Sequence, residues 1–216
     1  MALISIAFGS TSAFADDFEC RGKVGTRTLE NVYVPSGASC FLVGTRVQGN
    51  IIVATGGSLE TRNARVGGNI QSEGYLLINL HAGTRVTGSI QLKQGNTATV
   101  TNTWVNGDVQ FEESFGPSTA TFNTIGGSLQ AYKTNAAVSF LSNPFVGGNI
   151  QVYESTGGIT INNNDTDANL QVYKSRGGIA INDNVIRQNF QCYDNEGPLS
   201  ESGNQVGGER GCSSAK

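Results

Sequence analysis

Apolar residues return at one spacing through nearly the whole chain. In the stretch Val146-Gly147-Gly148-Asn149-Ile150-Gln151-Val152-Tyr153, the apolar anchor Ile150 has counterparts at Ile51, Ile70, Ile90, Val109, Leu129, Leu170 and Phe190, and a degenerate one at Arg210. Successive anchors lie 19, 20, 19, 20, 21, 20, 20 and 20 residues apart. After each anchor the chain alternates, apolar inward and Gln outward, as at Ile150 and Val152 or Leu170 and Val172, which is the period of two that a strand requires. A second strand is predicted after the Gly-Gly pairs at 157–158 and 177–178, and short segments such as Arg65-Val66 and Arg85-Val86 close the circuit. Strands this short are stable only if every turn stacks on the next, so the pattern predicts one elongated all-β body.

Corners are marked by small and polar residues. Two positions before the anchor stands Gly at 49, 68, 88, 107, 127, 148 and 208, which predicts a corner of positive φ. Just before the anchor stand Asn50, Asn69, Ser89, Asp108, Ser128, Asn149, Asn169 and Asn189, all able to bond neighbouring amides. Asn63, Asn102, Asn123, Asn143, Asn163 and Asn204 recur near a different corner.

These repeats resemble the parallel β-helix, and the near-20 period is closer to the right-handed kind than to the 18-residue left-handed type. The likeness covers about residues 32–212. It implies a single-domain solenoid, all-β and right-handed, whose asparagines are similar to the ladders of β-helix proteins. The repeat, with Cys20 and Cys40 at its start and Cys192 and Cys212 at its finish, also resembles small secreted bacterial β-helix proteins without an assigned activity, and that likeness transfers no catalytic residue.

The cysteines sharpen the picture. Cys20 and Cys40 are 20 residues apart, as are Cys192 and Cys212. Residues one period apart in stacked coils sit about 4.8 Å from each other, within disulfide reach, so a disulfide is expected at each end. That pairing implies an oxidising, extracellular or periplasmic location. Residues 1–15 are apolar, uncharged and end in Ala13-Phe14-Ala15, as a signal peptide does, although no Lys or Arg precedes the apolar run and the leader reads as truncated. Residues 16–216 form the β-helix domain in this reading. Nothing else is apolar enough to span a membrane. A net charge of -3 defines no partner by bulk electrostatics, and nucleic acid is not expected.

Chemistry, if any, should lie in the outward columns. Gln71, Gln91, Gln110, Gln130, Gln151, Gln171 and Gln191 form one, readable as a stacked amide ladder. Tyr132, Tyr153, Tyr173 and Tyr193 run beside it and, with Gln151 and Gln171, make a candidate surface for sugar rings or a protein; the alternative is simple aromatic stacking. Glu113, Lys133, Glu154, Lys174 and Asp194 alternate in sign next to the tyrosines. Arg46, Arg65 and Arg85 share one position, followed by Trp104 one coil later. That column could hold the sulfate, phosphate or uronate groups of an acidic polymer, unless the arginines splay into water or pair with Glu60 and Glu73.

Asn162-Asn163-Asn164-Asp165-Thr166-Asp167, with Asp183 one coil on, is the one weak calcium candidate, with Asp165, Asp167 and Asp183 as donors and Arg187 as a competing counter-charge. Asn164-Asp165-Thr166 also fits a glycosylation sequon. No cofactor is expected.

Polysaccharide lyases and hydrolases share the implied architecture, so an enzyme of that kind is the alternative to a non-enzymatic structural, adhesive or binding protein. Against it, His81 is the lone histidine, and the adjacent Glu112 and Glu113 should point to opposite faces of a strand. Coils of 19 to 21 residues also leave no insertion from which to build a cleft. A monomer or an end-to-end or lateral assembly is expected, because solenoid ends expose strand edges.

Overall fold

The computed structural model describes residues 17–214, so the leader segment expected at 1–15 lies outside the described residues. The described residues form a parallel β-solenoid of about ten turns, with no helix among them. Each turn contributes one strand to each of three sheets, such as Ile150–Tyr153 to sheet A, Ile159–Asn162 to sheet B and Asp165–Thr166 to sheet C. Sheet A has eleven strands and sheets B and C ten each.

Register follows the sequence period. Ile150 pairs with Leu129 on one side and Leu170 on the other, and Tyr153 with Tyr132 and Tyr173. The anchors from Ile51 to Phe190 are buried together with the sheet C column of Val47, Val66, Val86, Val105 and Ile125. Large and small side chains alternate to fill the interior: Phe111 meets Phe140 at 6.2 Å between ring centres, while Ala98, Ala120 and Ala131 occupy neighbouring rungs.

Both disulfides form, Cys20–Cys40 and Cys192–Cys212, with Cα separations of 5.4 and 4.4 Å. The ends are also closed by arginines lying over aromatic rings. Arg27 sits 5.0 Å from the Phe18 ring in the first coil, and Arg210 sits 5.8 Å from Phe190 in the last. Arg210 occupies the anchor position and Glu201 the position of Ile181, so two core columns end in charges, and these two pair at 3.6 Å. The degenerate anchor is therefore a polar cap.

Two corner expectations are corrected. The glycines two before each anchor do not take positive φ. They make room: a Cβ at Gly68 would lie 2.3 Å from Asn50 Oδ1, and one at Gly107 2.3 Å from Ser89 Oγ. Those oxygens accept the backbone N–H of the next coil, from Asn50 onto Asn31 at 2.9 Å up to Glu209 onto Asn189 at 2.8 Å. Positive φ falls elsewhere, on Glu113, Lys133, Glu154, Lys174 and Asp194 after sheet A, and on Asn63, Asn102, Phe122, Asn163 and Asp183 after sheet B. Glu113 consequently leaves the strand alternation, and it faces solvent with Glu112 rather than opposite to it; Glu112 takes Lys93 at 3.2 Å and Glu113 accepts from Gln94 at 2.6 Å.

The asparagines likewise divide between two adjacent columns. Asn63, Asn102 and Asn163 hold the left-handed corner, where Asn costs least among residues bearing a side chain. Asn123, Asn143 and Asn204 lie one residue further on, with Asn164 and Asn184, in an inward ladder. Each donates Nδ2 to a backbone carbonyl, and from Asn123 to Asn184 each also donates to the Oδ1 of the next rung, as in Asn143 to Ala120 O (3.0 Å) and to Asn164 (2.7 Å). Asn164 is 2% exposed, so the sequon is closed to glycosylation in the folded chain.

Candidate functional site

Sheet A carries the glutamine ladder. Six consecutive bonds of 2.5 to 3.3 Å join Gln71 to Gln191, every Nε2 donating toward the C-terminal end. The tyrosines stack beside it with ring centres 5.0, 5.1 and 5.8 Å apart. They face outward, yet the middle phenols turn back into the ladder: Tyr153 donates to Gln171 Oε1 at 3.2 Å and Tyr173 to Gln191 Oε1 at 2.7 Å. Partial burial, reinforced by the adjacent Tyr173 and Tyr132, pushes the Tyr153 phenol up to about 12. Burial likewise raises Tyr132, helped by the Glu154 and Glu112 carboxylates. This face is largely satisfied by its own hydrogen bonds, which leaves less for a ligand than the residue types imply.

Sheet C is different. Arg46 pairs in register with Arg65, Arg65 with Arg85, and Arg85 with Trp104. Their side chains border an open groove of about 600 Å³ with Gln48 and Thr87. The expected partners of the arginines are engaged elsewhere or do not reach them. Glu60 binds His81 at 3.1 Å and Arg62 at 4.0 Å, so pairing with Glu60 is overturned, and Glu73 forms no ion pair among the described residues. Turned to donate, the Gln48 amide reaches Glu30 at 2.9 Å, which occupies that carboxylate as well. Among the described residues Arg46, Arg65 and Arg85 have neither an ion pair nor a cation–π partner, although stacked like charges repel.

Further along the same face the outward residues become aromatic. Trp104 pairs in register with Thr124 and Thr124 with Phe145, while Phe122 precedes Thr124 by two residues. Trp104, Phe122 and Phe145 are 39, 60 and 39% exposed. Phe122 and Phe145 are exposed aromatics that the periodic reading missed; Phe145 shares the Arg–Trp position in the repeat, so its spacing was the signal that could have found it.

The acidic cluster behaves as a counter-ion for one arginine. Arg187 binds Asp167 at 2.7 Å and Asp165 at 3.0 Å, Asp183 sits at a left-handed corner, and the described residues contain no group of three or more side chains that could hold a metal. Asp165 Oδ1 is buried without a partner. No described helix is long and apolar enough to cross a membrane.

Fold and site together define a parallel β-solenoid closed by a disulfide at each end, with one unpaired cationic column on its third sheet. Compared with protein-family models, curated proteins and solved structures, the chain matches none.

Proposed function

We propose that this chain is a secreted, non-enzymatic binding protein that holds an acidic polysaccharide along the sheet C groove. The observation that carries the reading is the in-register triplet Arg46, Arg65 and Arg85, unpaired and followed by Trp104. Three guanidiniums one coil apart, about 4.8 Å, repel one another unless anions lie across them, and their planar forks match carboxylate and sulfate. Trp104 then offers a stacking face for a sugar ring. The two disulfides fit an oxidising compartment outside the cytoplasm.

The groove lining contains no Asp, Glu or His, so it supplies no acid–base pair for glycosidic cleavage, which favours holding over cutting. The tyrosine strip is secondary in this reading, because its phenols already bond to the glutamines. Retention on an immobilised polyuronate or sulfated glycan tests the proposal. Wild type should bind and be released by salt, single Arg→Gln variants should elute earlier, and the triple variant should flow through. Equal retention of the triple variant, with its circular dichroism unchanged, would overturn it.

A further inference from the structure

Beyond the arginines, the same strip changes character abruptly, and Phe122 is the residue that makes the change costly. At φ 57° it is a bulky side chain in the left-handed region, where the equivalent rungs hold the smaller Asn63, Ala82, Asn102, Ser142, Asn163 and Asp183. It is also 60% exposed, in the coil between those of Trp104 and Phe145. A strained backbone that presents an apolar ring to water, one coil from each of two more exposed rings, points to a ligand. The cationic column ends at Arg85 and the aromatic one begins at Trp104, its register partner.

We infer that the ligand is an amphiphile: an acidic glycan joined to a lipid chain, with its anionic groups on Arg46, Arg65 and Arg85, a sugar ring on Trp104 and its acyl part beyond it on Phe122 and Phe145. This rests on the acidic-glycan reading of the groove and adds to it the class of molecule and a direction, with the lipid end toward the C-terminal half. Arginine presents a fixed charge to phosphate or carboxylate, Trp settles at the boundary between polar head and hydrocarbon, and Phe lies on the hydrocarbon side. Trp104 follows Arg85 on the next rung, so head and tail belong to one molecule.

Trp104 is the sole tryptophan, so its emission reports the site directly. The protein is titrated with a phosphorylated, acylated bacterial glycolipid, with the same glycolipid after alkaline removal of its acyl chains, and with phosphatidylglycerol vesicles. The expected result is a blue shift with both forms, larger with the acylated one, and affinity for the acylated form at least about tenfold above the deacylated form. Phe122→Ser, which places at this corner the residue found at Ser142 one coil on, should remove that advantage and leave deacylated binding intact; Arg65→Gln should weaken both. Deacylated glycan binding equally well, with the same shift of Trp104 emission as the acylated form, would sink the lipid inference and leave the glycan reading standing. Failure of the deacylated glycan to bind would sink the glycan reading and this inference with it. Vesicles binding as tightly as the glycolipid would replace the inference with docking to an anionic lipid surface.

Discussion

Replacing Asn143 by Ala tests whether the inward asparagine ladder holds the corner together. Asn143 is fully buried, and its side chain makes four bonds. Oδ1 accepts from Asn123 N (2.9 Å) and Asn123 Nδ2 (3.0 Å), and Nδ2 donates to Ala120 O (3.0 Å) and Asn164 Oδ1 (2.7 Å). Truncation strands the Asn123 amide in the interior, at a cost of about 1–3 kcal/mol for a buried unsatisfied donor. The other lost bonds contribute about 1 kcal/mol each, partly recovered by relaxation, and the vacated volume adds to them, so the expected loss is about 3–5 kcal/mol. Urea unfolding followed by far-ultraviolet circular dichroism measures it. The control is Asn102→Ala, an exposed left-handed corner residue, which should cost about 1 kcal/mol or less. Because a solenoid is held by nearest-neighbour contacts, a break at one rung should also separate the dichroism midpoint from that of Trp104 fluorescence. A loss below about 1 kcal/mol, or one no larger than the control's, would refute the reasoning.

Three further outcomes follow from the geometry. Gly95→Ala would drive a Cβ to 2.1 Å from the ring of Tyr75, which lies across this glycine to reach Ser114 at 3.1 Å; thermal melting should show a loss of about 2–3 kcal/mol, and the Tyr75→Ser/Gly95→Ser double variant should recover much of it by extending the buried hydroxyls that follow at this position, Ser114, Thr134, Ser155 and Ser175. The Tyr153 phenol is raised in the fold, so the unfolded chain releases its proton first; stability should be full below pH 10 and fall as pH rises toward about 12, by no more than about 1 kcal/mol after screening of this half-exposed group, and Tyr153→Phe should remove that share of the slope in urea midpoints against pH. Arg210→Leu would replace the charge at the end of the anchor column and leave Glu201 unpaired; light scattering should then show concentration-dependent association where the parent shows little, and an unchanged particle size would refute the capping role.

Much of the molecule was legible because its period is nearly constant. Anchors, strand register, the glutamine, tyrosine and arginine columns and both disulfides follow from counting in twenties, and the strands pair as that count predicts. What counting misses is whatever depends on a one-residue offset or on side-chain direction. Asn102 and Asn123 read as one column because coil lengths vary from 19 to 21, yet the first points out at a corner and the second into the core. A recurring glycine reads equally well as a torsional need or a steric one, and the side-chain oxygen over Gly68 decides for the latter. Nor could sequence show that Glu60 turns to His81 and leaves the arginines open. The tyrosines were found, but the bonds of Tyr153 and Tyr173 to Gln171 and Gln191 that reduce their availability were not.

The direction of the hydrogen bonds has a mechanical meaning. Every sheet bonds coil to coil along the long axis, so a tensile load between the two ends acts on few bonds at a time and peels coils one after another. Each peeled coil should lengthen the chain by about 60 Å, from some 20 residues at about 3.3 Å each less the coil's own rise of about 4.8 Å. The disulfides tie the first coil to the second and the last to its neighbour, so the load passes those end pairs by covalent bonds and yielding starts further inside. A chain pulled this way would extend in a staircase of nearly equal steps, lengthening without snapping at once.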